Sequence, residues 1–135
     1  MPELPGEVRT LLEGPNVAHI ATVLPGGAPH SVAVWIGTRG DNVVFFTQER
    51  SRKARNLRDD PRVAISVVDR ENAYATGWVR GRVVETLEGE EALEVIDGLA
   101  LKYTGEPFPM RSGIVFVIEA ERAGSMTLPF RPTPG

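Results

Sequence analysis

Cysteine is absent from the 135 residues. That removes a disulfide scaffold, a thiolate metal site, an iron–sulfur cluster and a cysteine nucleophile. Lysine is nearly absent as well, with only Lys53 and Lys102 beside thirteen arginines. The two histidines, His19 and His30, lack the spacing of a metal pair. No recognisable Ser–His–acid arrangement occurs, and no G-x-G-x-x-G follows a strand, which argues against a triad hydrolase and a Rossmann site. No apolar run approaches the ~20 residues of a membrane span. Met1-Pro2-Glu3-Leu4-Pro5 lacks a signal peptide's basic start and apolar stretch, so a cytoplasmic protein with no membrane partner is expected. Any redox chemistry must therefore be carried by a bound cofactor.

What the chain does have is enough apolar residue, 41%, to bury one core, so residues 1–135 read as one domain. The net charge of -3 hides an uneven distribution. Arg50, Arg52, Lys53, Arg55, Arg58 and Arg62 crowd into one segment, while Glu85, Glu88, Glu90, Glu91 and Glu94 form a later acidic block. One compact basic segment in a mildly acidic chain points to a localised anion site. Nucleic acid, which asks for a broader basic balance and interleaved aromatics, is not expected as a partner.

Fourteen glycines and eleven prolines fall between apolar runs and read as turns inside the domain. Helical spacing of Leu4, Val8, Leu11 and Leu12 predicts a short helix over 5–13. Strands are expected at 17–24, 30–37 and 43–47, joined by turns at 25–28 and 38–42. Ser51 can cap, and Pro61 stop, a basic helix over 51–60. Further strands follow at 63–69 and 73–87, where Gly77 and Gly81 invite a bend or bulge. An amphipathic helix spans 90–103, and a last strand runs from 114 to 121 with an extension to 128 open. Six strands interrupted by two helices predict a mainly β fold, a six-stranded antiparallel Greek-key barrel. The proline-rich tail, residues 129–135, is expected as an arm crossing to a partner or as a disordered end.

Chemistry concentrates where a strand ends in Thr47 and the basic helix begins. Unpaired N–H groups and about half a positive charge at a helix N-terminus suit phosphate. Ser51 and Thr47 offer hydroxyls, Lys53 a point charge and Arg52 a bidentate fork. On charge alone, a solvated basic helix explains the same residues equally well. The apolar stretch Val32-Ala33-Val34-Trp35 implies burial on both faces, or one face on the core and the other on a second chain. Trp35, like Tyr74 and Trp78, either walls a flat ligand or belongs to the core.

These residues carry a resemblance. His19-Ile20-Ala21-Thr22-Val23, Gly27-x-Pro29-His30, Val34-Trp35, Phe46-Thr47, Ser51-Arg52-Lys53-Ala54-Arg55-Asn56-Leu57 and Asp60-Pro61-Arg62-Val63-Ala64 occur in that order. Gly81-Arg82-Val83 and Lys102-Tyr103 follow. Together they resemble the pyridoxamine 5′-phosphate oxidase-like superfamily over roughly residues 15–125, and most closely its small deazaflavin-dependent oxidoreductases. The resemblance implies a split β-barrel homodimer with a cofactor site at the subunit interface. It implies that Lys53 and Arg52 face the cofactor phosphate with Ser51 and Thr47, and that Val32, Ala33, Val34 and Trp35 run beside the ring. Arg55 and Asn56 lie next to that site, and Tyr74 and Trp78 complete the pocket from the same subunit or the partner. The implied cofactor is coenzyme F420 or FMN, with Arg50, Arg52 and Arg55 as a basic rim for the deazaflavin's acidic tail. The implied activity is hydride transfer to or from a small unsaturated molecule. Vitamin B6 oxidation is not expected, because the chain ends in Arg131-Pro132-Thr133-Pro134-Gly135 in place of the oxidases' substrate segment. A non-catalytic carrier of cofactor or haem on the same fold is the alternative.

Overall fold

The computed structural model describes residues 3–133. Along the chain come α1 (Gly6–Glu13), β1 (Ala18–Val23), β2 (Pro29–Val34), β3 (Gly37–Arg39), β4 (Asn42–Thr47), α2 (Arg52–Asp59), β5 (Arg62–Val68), β6 (Ala75–Leu87), α3 (Gly89–Thr104) and β7 (Ile114–Thr127). The strands form one antiparallel sheet in the order β2-β1-β5-β6-β7-β4-β3.

Strict alternation gives this sheet an inside and an outside. In β5, Val63, Ile65 and Val67 are buried while Arg62, Ser66 and Val68 face out. Ala18, Ile20 and Thr22 do the same for β1. The inward residues meet Val34 of β2, Phe45 of β4 and Phe116 of β7 in one core. Because β2 at one end of the strand order and β4 next to the other end both contribute to it, the sheet is rolled around that core, with β2 and β3 left as unpaired edges. The first helix supplies Val8, Leu11 and Leu12, and the second Ala54 and Leu57. A second apolar layer lies between the outer faces of β4 and β7 and the α3 residues Ala92 and Ile96.

Seven strands, rather than six, make the sheet. The expected single strand over 30–37 stops at Val34, the last residue paired with β1. Gly37 then opens β3, which pairs with β4 and takes in Thr38 and Arg39, residues expected in a turn. The break has a local cause. Ile36 gives its N–H to the Tyr103 hydroxyl at 3.1 Å, and its carbonyl accepts from Lys102 Nζ, so α3 satisfies backbone groups that a neighbouring strand would otherwise take.

The long strands β6 and β7 pair with shifts between Arg80 and Gly81 and between Val83 and Glu85. A bulge therefore forms at Gly81, whereas Gly77 stays in register and leaves room for Leu11. Beyond β7, Leu128 N–H donates to the Tyr74 carbonyl at 3.0 Å, and the Phe130 ring sits 5.3 Å from that of Tyr74. The described part of the tail thus runs beside the start of its own β6; residues 134 and 135 lie outside the described residues. Among the described residues no helix is long and apolar enough to cross a membrane.

Candidate cofactor cleft

The basic helix begins where the sequence places its cap. Thr47 Oγ1 donates to Ser51 Oγ at 3.0 Å, and Ser51 Oγ accepts the Ala54 N–H at 3.2 Å. Both hydroxyls are thereby engaged in fixing the start of α2. Ala54, Asn56 and Leu57 point inward, which leaves Lys53 on the flank of the helix beside β2.

There it enters a cleft of about 430 Å³ lined by Val17, Ala33, Val34, Trp35, Phe46 and Phe108 in addition to Lys53 itself. Three aromatic rings make the walls. Phe46 and Phe108 meet edge to face at 5.1 Å, and Trp35 stands 6.1 Å from Phe46 and 6.2 Å from Phe108. The Phe108 N–H donates to Asp97 Oδ1, and Arg111 holds the same carboxylate with two 2.9 Å bonds. The Arg111 guanidinium, aided by the Phe108 N–H, keeps the Asp97 carboxyl below its ordinary pKa. On the open side, β2 is the edge of the sheet, so alternate peptide groups turn away from β1.

Among the described residues, Lys53 is the one charged lining residue of this cleft. Burial pushes its ammonium below the usual lysine pKa, and among the described residues no neighbouring carboxylate offsets the shift. A half-buried cation without a counter-ion, beside aromatic walls, is suited to an anion attached to a flat ring.

The structure thus brings Lys53, Ala33, Val34 and Trp35 to one place. Arg52 and Arg55 are exposed on α2; Arg55 reaches back to the Arg50 carbonyl at 3.1 Å. Asn56 is fully buried, donating to Thr22 Oγ1 at 3.0 Å and accepting from Arg52 Nε at 3.1 Å, so it orients Arg52 from inside the core. Val32 packs against the core. Tyr74 sits under Phe130, and Trp78 lies on the outer face of the sheet, so neither joins the cleft within one chain. Val17, Phe46 and Phe108 are lining residues that the sequence reading does not assign to the site, although Phe46 is among those that carry the resemblance. Phe108, held between Pro107 and Pro109 in a loop, offers the one signal that could have found it: a lone aromatic fixed by flanking prolines.

Trp78 belongs to a shallow groove of about 390 Å³ with His19, Ala21, Ser31, Ala64 and Ser66. Cross-strand register places Ala33, His19, Ser66 and Trp78 in one row, so this groove and the cleft share the outward face of β2. Among the described residues no group of histidines and carboxylates is placed to hold a metal ion.

The family model described as pyridoxamine 5′-phosphate oxidase matches residues 4–124. Among solved structures, an F420 reductase is 30% identical, covers 90% of this chain and 98% of its own, and superposes with a TM-score of 0.79. A conserved hypothetical protein from Mycobacterium tuberculosis is 25% identical over 100% of this chain and 94% of its own, also at 0.79. The HupZ protein of Group A Streptococcus, 20% identical over 92% and 94% of the two chains with a TM-score of 0.69, shares the fold. No curated protein matches the sequence.

Proposed function

The chain belongs to the pyridoxamine 5′-phosphate oxidase family, and on that premise we propose that it is an oxidoreductase that holds coenzyme F420 or FMN in the Lys53 cleft. The observation that carries the reading is Lys53 itself, a cation drawn into an aromatic cleft where no described residue supplies an anion. Either cofactor presents a flat ring and a phosphate, which fit the aromatic walls and the lysine respectively. The 30% identity to an F420 reductase favours the deazaflavin.

The bound ring would supply the hydride chemistry, which no side chain here can replace. The protein's share is binding, orientation and exclusion of water. Lys53 and the first N–H groups of α2 bind the phosphate, and Arg52, steadied by Asn56, adds charge at the rim. Backbone groups on the free edge of β2 hold the polar edge of the ring. Trp35, Phe46 and Phe108 exclude water from its face and fix the approach of a small unsaturated substrate.

The active form in this reading is a homodimer. The outward row from Ala33 to Trp78 sets Ala33, His19 and Ser66 beside an exposed tryptophan, and it is continuous with the open side of the cleft. A second copy seated on this face would cover that side and complete the site.

Visible absorption spectra and mass analysis of the purified protein, before and after adding each cofactor, test this reading. Saturable binding of FMN or F420 supports it; a Soret band on adding haem, with no flavin or deazaflavin binding, replaces it with the carrier alternative. Within the site, Lys53→Ala should weaken binding by roughly ten- to a hundredfold, the worth of one charge-assisted contact in a partly desolvated cleft. Arg58→Ala, at an exposed residue tied to Glu49, should leave affinity nearly unchanged. Equal affinities for the two variants would remove the phosphate assignment.

A further inference from the structure

Between β2 and β3 two residues, Trp35 and Ile36, belong to no strand. The sheet therefore does not set the Trp35 ring, although that ring walls the cleft. Torsion about the bond to an indole ring is broad and needs packing to define it. Two consecutive residues near the end of α3 provide the missing definition. The Tyr103 hydroxyl accepts the Ile36 N–H at 3.1 Å and donates to the Asn16 carbonyl at 2.6 Å. Lys102 Nζ donates to the carbonyls of Ile36 and Leu12. Both backbone groups of Ile36 are thus held, and the Ile36 side chain is fully buried. The Tyr103 ring then lies parallel to the Trp35 indole, 5.2 Å between centroids and 7° between planes. By contrast, Phe46 and Phe108 meet the indole at 61° and 79°.

We propose that Tyr103 is a positioning residue: through its stack on Trp35 and its tether to Ile36, it presets the indole as a wall of the cleft before any ligand enters. The placement of Trp35 stands on this geometry alone; its consequence for cofactor affinity rests on the reading of the cleft given above. A leucine could fill the volume behind Trp35, but it offers neither a parallel face nor a group that bridges Asn16 and Ile36. With the indole free, a ligand must order it on binding, which weakens affinity by about three- to tenfold.

The test has two arms. On apo-protein carrying Trp78→Phe, acrylamide quenching reads Trp35 alone. Tyr103→Leu should raise that quenching to the level of an exposed indole. Tyr103→Phe, which keeps the ring and loses the tether, should raise the quenching part of the way, and it serves if the leucine variant fails to fold. Unchanged Trp35 quenching in the folded variants overturns the proposal, whether or not a flavin binds. In the second arm, FMN and riboflavin, the same ring without phosphate, are titrated into each variant. Tyr103→Leu should weaken both by the same factor, whereas Lys53→Ala should weaken FMN and spare riboflavin. Full affinity in the Tyr103 variants beside a selective Lys53 effect overturns the positioning role in binding and leaves the cofactor site standing. Binding of neither FMN nor coenzyme F420 by the wild type removes the cofactor reading and leaves the quenching arm to decide on Tyr103.

Discussion

Lys53 and Lys102 are both drawn below the usual lysine range by burial, but among the described residues only Lys102 has hydrogen-bond partners, the carbonyls of Leu12 and Ile36. Its pKa is pushed down to about 8, mainly by desolvation. Below that pH the ammonium is charged in both the folded and unfolded states, and the cost of its burial is fully present. Between about 8 and the ordinary value of 10.5 the unfolded chain binds the extra proton, so Lys102's contribution to stability rises with pH. Urea unfolding of wild type and Lys102→Met at pH 7 and pH 9.5 checks the sign: the difference between them should shift in the wild type's favour at the higher pH. Asn56 makes a different residue-scale case. Asn56→Ala would leave Thr22 and Arg52 without their partner and open a small cavity, which should cost about 2–3 kcal/mol of apo stability. Lys53→Ala, by comparison, should stay within about ±0.5 kcal/mol. Thermal and urea unfolding of the two apo-variants would show the contrast.

At the scale of elements, the β6–β7 bulge depends on a missing Cβ. One added at Gly81 would lie 2.0 Å from the Glu119 carbonyl oxygen, a backbone atom that cannot step aside without breaking the ladder. Gly81→Ala should therefore destabilise by about 3 kcal/mol. Gly98, exposed inside α3 with nothing near its virtual Cβ, is the opposite case. Gly98→Ala should stabilise by about 0.5–1 kcal/mol through helix propensity. Unfolding midpoints of the pair read both signs in one experiment. The sequence anticipates a bulge at Gly81 or Gly77 but cannot choose between them, since the choice follows from β7's register.

For the whole molecule, the outward row Ala33, His19, Ser66 and Trp78 is the feature that a single chain leaves unused. Trp78 is 40% exposed with Arg80 stacked 5.0 Å from its ring, and Val68 on the neighbouring strand is 43% exposed. Trp78→Glu would place a carboxylate in the face proposed to pair. It should yield a monomer by light scattering at micromolar concentration, with cofactor affinity falling alongside. A monomeric wild type would remove the dimer and the shared site together.

The sequence by itself settled what short-range forces decide. Apolar period marked the helices and every strand but β3, Ser51 and Pro61 bounded the basic helix to within a residue, and the crowding of cations in one segment pointed to α2. The residues that carry the family resemblance pointed to the fold. Only the tertiary structure decided which side chains share a cleft. Phe108 reaches Phe46 through a loop pinned by Asp97 and Arg111, Asn56 turns inward to Thr22, and Tyr103 ends β2 early by taking the Ile36 N–H. None of these partners is near its mate in sequence, so no local periodicity encodes them. A strand's period is a property of its own backbone sterics, whereas its end depends on whichever distant group competes for its hydrogen bonds once the chain has closed around its core.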